Sequence, residues 1–382
     1  MSITLTPEHK NLAAVVREFA TERISPYRRQ NDQERSYRPE QLRQMAAAGL
    51  FSLRVPTAHG GQGLDATSVG LALEELARAD LSVCFPVLNA ALVGRVLADN
   101  STSQQIDRWL PAIASGKALT CLALTETEHG TDAASIEMAA ERRDNETWVL
   151  NGEKDSIMAA MYATHGLVFV RTGGQGSRGI SAFYVDMTTP GISVERLDDL
   201  GCRAGGRGRI TFHNVVVSRE EMVGSLGSGF GAILKGFSVS RAWIALMALS
   251  VAGVCIDEAL SYASQREAFG KILARHQSVT FPLVEHYTYI HSARALAFEA
   301  LQLADQGKDP RVATNMAKWW APKASVDAVQ QSLLTMGHRG WSEEGPIAQR
   351  LRDVIGLQLA DGTAAATKMV VARALLGSDQ AP

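Results

Sequence analysis

One carboxylate near the end of the chain stands where chemistry could be done. "LQLADGT", Leu357 to Thr363, carries Asp361 out of an apolar run into a Gly-Thr turn, just after the "RD" of Arg352 and Asp353. An Asp-Gly pair is by itself a turn, because Asp bonds its own backbone and tolerates the bend. An acid delivered among apolar residues is also what a general base requires, since withdrawal from water raises its pKa toward a working pH. On this stretch alone both readings stand.

Three other stretches offer chemistry. "TETEHGTD", Thr125 to Asp132, collects hydroxyls and acids where a strand enters a loop, which is either a solvated turn or a ligand loop. "SQREAFGKILARHQS", Ser264 to Ser278, sets Arg266 and Lys271 around a Phe-Gly pair, with Gln277 a turn further on. A guanidinium there offers a planar donor fork suited to a pyrophosphate. Surface charges on a helix-loop-helix turn are the plain alternative. "FSVSR" puts Phe237 and Arg241 on one helix face, for packing or for one ligand. The histidines form no HxxxH or HxH pair, so no metal site is expected. No GxSxG is present and no GxGxxG follows a strand; "GGRGR" at Gly205 lies between strands and opens no helix.

Residues so scattered must be positioned by a sizeable scaffold. The chain has 382 residues, enough for two or three domains. A net charge of −2 argues against a whole-surface nucleic-acid binder. Cys84, Cys121, Cys202 and Cys255 have no CxxC spacing and read as reduced, buried thiols of a cytoplasmic protein. The start, "MSITLTPEHK", lacks the pattern of a secretion signal. "WIALMALSVAGVCI", Trp243 to Ile256, is too short to span a bilayer and reads as a core helix.

The periodicity changes twice. Residues 1–116 read as helical. Thr6 is a cap, Pro7 suits the first helical position, a second helix ends at Gly49, and a long apolar helical stretch is broken near Pro86. From Lys117 to Met222 short β-branched or aromatic runs alternate with Gly, Asn, Asp and Pro, giving a central β domain. Residues 223–382 read as helical again. Segregated rather than alternating elements make the fold class α+β.

The ordered motifs resemble the acyl-CoA dehydrogenase family from end to end. They are "VPTAHGGQGLD", "LALTETEHGTD", "NGEK", "LGCRAGGRGRITFHNVVV", "GFSVSRAWIA", "QREAFGKILARHQSV", "QRLRDVIGLQLADGT" and "VAR". The resemblance implies an N-terminal helical domain, a central β-barrel or sandwich and a C-terminal four-helix bundle. It implies FAD, an acyl-CoA substrate, a homotetramer and electron-transferring flavoprotein as the acceptor. By the same resemblance Asp361 is the base that takes the thioester α-proton, while its backbone N–H helps hold the carbonyl oxygen. The minority family position for the base, before the Arg of "FSVSR", is Ser240, which cannot serve. Thr125 then matches a flavin-ring contact, and Thr131 a position near the pantetheine and phosphates. Arg266, Phe269 and Gln277 match the segment lent to a neighbour's FAD. Thr363 matches a hydroxyl near the FAD phosphates, Phe237 and Arg241 line the CoA channel, and Gly362 follows the base in the substrate site.

The chain departs from the family in two places. After "NGEK" the family has a Trp on the flavin and, two residues on, a Thr or Ser near N5; here stand Ser156 and Met158. The base is Asp rather than the usual Glu, one methylene shorter. Together "SIM" and "ADGT" resemble the branch acting on alicyclic thioesters such as cyclohexanecarboxyl-CoA. The rival readings are a dehydrogenase of carrier-protein-bound acyl groups, a flavin monooxygenase of the same fold and a non-catalytic flavoprotein scaffold.

Overall fold

The structure, a computed structural model, describes residues 4–377 and Gln380. Met1 to Ile3 of the opening segment and the remaining C-terminal residues lie outside the described residues. The N-terminal region contains α1 (Pro7–Arg23), α2 (Arg28–Glu34), α3 (Gln41–Ala47), α4 (Ala66–Ala79), α5 (Cys84–Asn100) and α6 (Ser103–Ala114). Its starts follow cap chemistry. The Thr6 hydroxyl accepts from the His9 N–H at 3.3 Å with Pro7 opening the helix, and Asp65 accepts from the Ser68 N–H at 2.7 Å. The break expected near Pro86 lies earlier, at Asp80 to Val83. Asp80 caps the short turn of Leu81–Val83, and Pro86 sits in the first turn of α5, where a missing N–H costs nothing.

Eight strands form the central sheet: β1 (Thr120–Ala123), β2 (Ala139–Arg142), β3 (Thr147–Ile157), β4 (His165–Arg171), β5 (Ile180–Asp186), β6 (Ile192–Arg196), β7 (Gly208–Ser218) and β8 (Met222–Val223). Their order is β6-β7-β3-β2-β4-β5-β8, with β1 parallel to β4. β2 is not visible as a strand in the sequence. "AAER" has weak β propensity and is drawn into the ladder by pairing with Leu150 and Val149 of β3. The sheet keeps its own core of Trp148, Val168, Phe183 and Phe212.

The C-terminal region begins with α7 (Gly229–Ala263), followed by a hairpin of β9 (Glu267–Ala268) and β10 (Lys271–Ile272). Then come α8 (Gln277–Asp305), α9 (Arg311–Met336), α10 (His338–Trp341), α11 (Pro346–Gly356) and α12 (Ala364–Leu376). Helices α7, α8 and α9 pack on one another, α12 packs on α9, and α4 and α5 pack on α7. One apolar core therefore runs through both helical regions. The stretch Trp243 to Ile256 is the buried middle of α7. Its full helix of 35 residues is long enough to cross a bilayer, so length was the wrong argument; 83% of its most apolar window is buried inside the fold.

Candidate active site

The Asp361 turn lies between α11 and α12. Asp361 adopts φ +52° and Gly362 φ +109°. Asp is among the few side chains that tolerate the left-handed region, and a Cβ on Gly362 would lie 3.2 Å from an Arg241 guanidinium nitrogen. Thr363 then caps α12, its hydroxyl accepting from the Ala366 N–H at 3.4 Å.

Three side chains from two other helices hold this turn. On α7 the Ser240 hydroxyl donates to Asp361 Oδ2 at 2.5 Å, and Arg241 Nε donates to the Asp361 carbonyl at 2.7 Å. Arg241 also reaches Asn315 Oδ1 at 3.0 Å, and its guanidinium lies 5.7 Å from the Phe237 ring centroid. On α9 the ammonium of Lys318 donates to the carbonyls of Leu357 (3.0 Å) and Gly362 (2.9 Å). Lys318 is 1% exposed. Desolvation raises the pKa of the Asp361 carboxyl, opposed by the Ser240 bond and the charges of Lys318 and Arg241. Burial pulls Lys318 down to about 8, with Asp361 holding it up. Among the described residues, no acceptor pairs the Asp361 N–H, which leaves a donor free beside the carboxylate.

The sequence reading found Asp361, Arg241 and Phe237 but missed the parts played by Ser240 and Lys318. Ser240 holds no proton-accepting carboxylate, as expected, yet the two alternative base positions meet there in one hydrogen bond. Lys318 had a visible signal. It shares its helix face with Thr314, Ala321 and Ser325, all of them buried, so the one cation on that stripe had to be paired inside.

The loop after β1 is built around a buried ion pair that the sequence reading also missed. Lys154 on β3 donates to Glu126 Oε1 at 2.7 Å and to the Leu124 carbonyl at 3.0 Å. Glu126 accepts further bonds from the N–H groups of Glu137 and Met138. Burial pulls Lys154 down to about 8 against the pull of Glu126. This clamp fixes the loop carrying Thr125 and Thr131, whose hydroxyls meet no protein partner among the described residues.

Ser156 lies near the far end of β3 and Met158 just beyond it. Ser156 has φ +61° and accepts from Arg207 at 3.0 Å, while Arg207 forks onto Asp199. The space that a smaller side chain leaves beside Ser156 is thus shared with a guanidinium. Met158 packs its sulfur against Gly205, where an added Cβ would come within 2.8 Å. Asn89 donates to its carbonyl at 3.4 Å.

The hairpin between α7 and α8 carries Arg266 and Phe269, and Gln277 begins α8. Phe269 is 97% exposed at φ +53°, with the His276 ring 6.3 Å away between centroids. Among the described residues the side chains of Arg266 and Gln277 have no hydrogen-bonding partner. Free hydroxyls on a clamped loop, a free guanidinium and an uncovered aromatic fit a group with both phosphates and a flat ring. No cluster of three metal-ligating residues occurs among the described residues.

Profiles of the acyl-CoA dehydrogenase N-terminal, middle and C-terminal domains match residues 6–117, 121–215 and 227–376. The mitochondrial short-chain specific acyl-CoA dehydrogenase of Rattus norvegicus is 32% identical over 381 residues, 99% of this chain and 92% of the relative. CarC, a subunit of the caffeyl-CoA reductase–Etf complex of Acetobacterium woodii, is 29% identical over 97% of this chain and 98% of its own. The structure of butyryl-CoA dehydrogenase from Megasphaera elsdenii superposes with a TM-score of 0.95 at 29% identity, covering 98% of this chain and all of that one. With three domain profiles matched in order, the chain belongs to the acyl-CoA dehydrogenase family of flavin-dependent oxidoreductases.

Proposed function

We propose that the protein is an FAD-dependent acyl-CoA dehydrogenase in which Asp361 removes the thioester α-proton. The observation that carries this is the base turn: a desolvated carboxylate held by Ser240, with a free backbone N–H beside it. A thioester α-proton is too weak an acid for a carboxylate unless the developing charge on the carbonyl oxygen is met by fixed donors. The Asp361 N–H is such a donor. When bound, FAD supplies the hydride acceptor for the β-carbon. Thr125, Thr131, Ser156, Met158 and Thr363 would lie along it within the chain, while Arg266, Phe269 and Gln277 would complete the FAD of a neighbouring subunit in a homotetramer. Phe237, Arg241 and Gly362 belong to the side where the thioester enters.

For the acyl group we propose an α-carbon within a six-membered ring, oxidised to the 1-ene. The support is the short arm of Asp361, one methylene less than a Glu and bonded to Ser240. The shared space at Ser156 and Arg207 lends this no help. A short straight chain is the second reading, favoured by the likeness to the rat short-chain enzyme. Electron-transferring flavoprotein is the proposed acceptor, in keeping with the complex named for CarC, and the cytoplasm the proposed location. The test is anaerobic bleaching of the purified yellow protein by cyclohexanecarboxyl-CoA, butyryl-CoA, octanoyl-CoA and an acyl carrier protein thioester. Fastest reduction by the ring substrate is expected. Faster turnover of a straight chain removes the ring assignment, and no bleaching by any thioester removes the dehydrogenase reading.

A further inference from the structure

The buried ammonium on α9 is unlike the other buried ammonium among the described residues. Lys154 has a carboxylate in hydrogen-bond contact, Glu126 at 2.7 Å. Lys318 has two carbonyls and no carboxylate. A desolvated cation bonded only to neutral acceptors is costly and persists where a countercharge is near. The charged groups facing it are few. Asp361 on the base turn favours its charge and Arg241 on α7 opposes it. On α12, Lys368 is turned onto the ring of the neighbouring Trp319, 4.4 Å from its centroid. The two carbonyls bracket the turn that contains Asp361.

We infer that Lys318 is a positioning residue for proton abstraction: it ties the two ends of the 357–362 turn together and supplies the countercharge that keeps the Asp361 carboxylate ionised before turnover. The inference rests on Asp361 being the base. A neutral tether could perform the first task but not the second. A cation there favours the carboxylate form of Asp361, and the carboxylate in turn holds the proton on Lys318. The two titrations are therefore linked across the turn without a direct hydrogen bond.

The experiment uses the FAD-loaded enzyme and two variants, Lys318→Met and Lys318→Gln. Both remove the charge, and Gln retains a donor for one carbonyl. The acid limb of the rate of flavin reduction should move up by about one pH unit in both, since a nearby opposite charge in a desolvated site shifts a carboxyl by that order. The Met variant should in addition lose about tenfold or more in rate at its optimum, through loosening of the turn. An unmoved acid limb in both variants overturns the countercharge.

A second measurement needs neither activity nor a Lys318 variant that folds. Asp361→Asn removes the group that holds up the Lys318 pKa. The extra cost of burying the Lys318 charge is then fully present below that pKa and vanishes once Lys318 is neutral in both proteins, as pH rises through about 8. The melting temperature of Asp361→Asn relative to the parent should therefore improve between pH 7 and pH 9. Where Lys318→Met can be made, that improvement should be absent in its background. A pH-independent difference overturns the coupling. If the difference changes as expected while no thioester bleaches the flavin, the coupling stands and the proposed reaction falls.

Discussion

The base turn and the α7–α8 hairpin use the same local device to opposite ends. Each places a non-glycine residue at positive φ before a glycine: Asp361 at +52° before Gly362, and Phe269 at +53° before Gly270. Such conformations cost of order 1–3 kcal/mol unless the surroundings impose them. Around Asp361 the surroundings are complete, with Ser240, Arg241 and Lys318 from two helices holding the turn. Around Phe269 almost nothing in the chain makes contact, and it is 97% exposed. The Asp361 turn is thus fixed by side chains of its own chain, whereas the hairpin leaves its aromatic ring uncovered by the described residues. The same contrast separates what a single-residue change should do in each place.

The largest effect belongs at the complete site. Asp361→Asn keeps the shape of the side chain and removes the proton acceptor. Flavin content, assembly and thioester binding should survive, while flavin reduction in stopped flow falls by about 10²- to 10⁴-fold, the contribution of a positioned base. Near-normal reduction would return Asp361 to the status of a turn residue. Asp361→Glu sharpens the ring assignment, because the longer arm should slow cyclohexanecarboxyl-CoA and gain activity on straight chains.

At the incomplete site the loss should appear in binding instead. Arg266→Ala removes a guanidinium that has no hydrogen-bonding partner among the described residues. A charge-assisted bond of about 1.5–3 kcal/mol corresponds to about ten- to a hundredfold weaker FAD retention, with a looser oligomer by sedimentation. A tight, fully yellow tetramer in that variant would break the contrast, since the hairpin would then serve nothing outside the chain.

Ser240 tests how finely the base is set. Ser240→Ala deletes one donor to the Asp361 carboxylate and leaves Arg241 and Lys318 in place. The folded pKa of Asp361, already raised by burial, should rise further. One hydrogen bond of about 1 kcal/mol amounts to roughly 0.7 of a pH unit in the acid limb, and about a threefold to fivefold loss of rate below it. An acid limb that stays in place would mean that the 2.5 Å contact is incidental to ionisation.

The sequence made the two sites legible to different depths, for physical reasons. Caps and helix starts such as Thr6-Pro7 are written locally, as are the continuous apolar runs of β4 and β5, and these were readable directly. Asp361, Phe269 and Arg266 were found through motifs in order, because no short stretch distinguishes a base from a turn. What stayed hidden was pairing across sequence distance. Ser240 is separated from Asp361 by 121 residues and Lys154 from Glu126 by 28. The break at Asp80 was displaced to Pro86 because proline is tolerated in a first turn. β2 was missed because its ladder partner, not its composition, makes it a strand. Exposure of the hairpin was legible as a charged Phe-Gly turn; that none of the described residues covers Phe269 was not.

The smallest effect compares Asp361 with the other raised carboxyl on the same approach, Asp353. Asp353 lies within α11, 2% exposed, and accepts from the Cys202 N–H at 2.5 Å, pinning the helix that delivers the base turn to the β domain. Burial, reinforced by Asp80, pushes its pKa up to about 7, against the Cys202 bond and Arg352. The folded state then holds a proton on Asp353 that the unfolded chain, near 3.8, has already released. The stabilising contribution of this group is fully present below pH 3.8 and is lost as pH rises through about 7. Asp353→Asn cannot titrate. Its melting temperature should change less between pH 5 and pH 8 than that of the parent, by a few degrees in a chain of this size. The acid limb of flavin reduction, set at Asp361, should stay where it was. A parallel melting profile would mean that Asp353 is already ionised at pH 5, with Arg352 outweighing its burial. A displaced acid limb would mean that the two carboxyls titrate as one unit along α11, and the separation between a structural acid and a chemical one would fail at that helix.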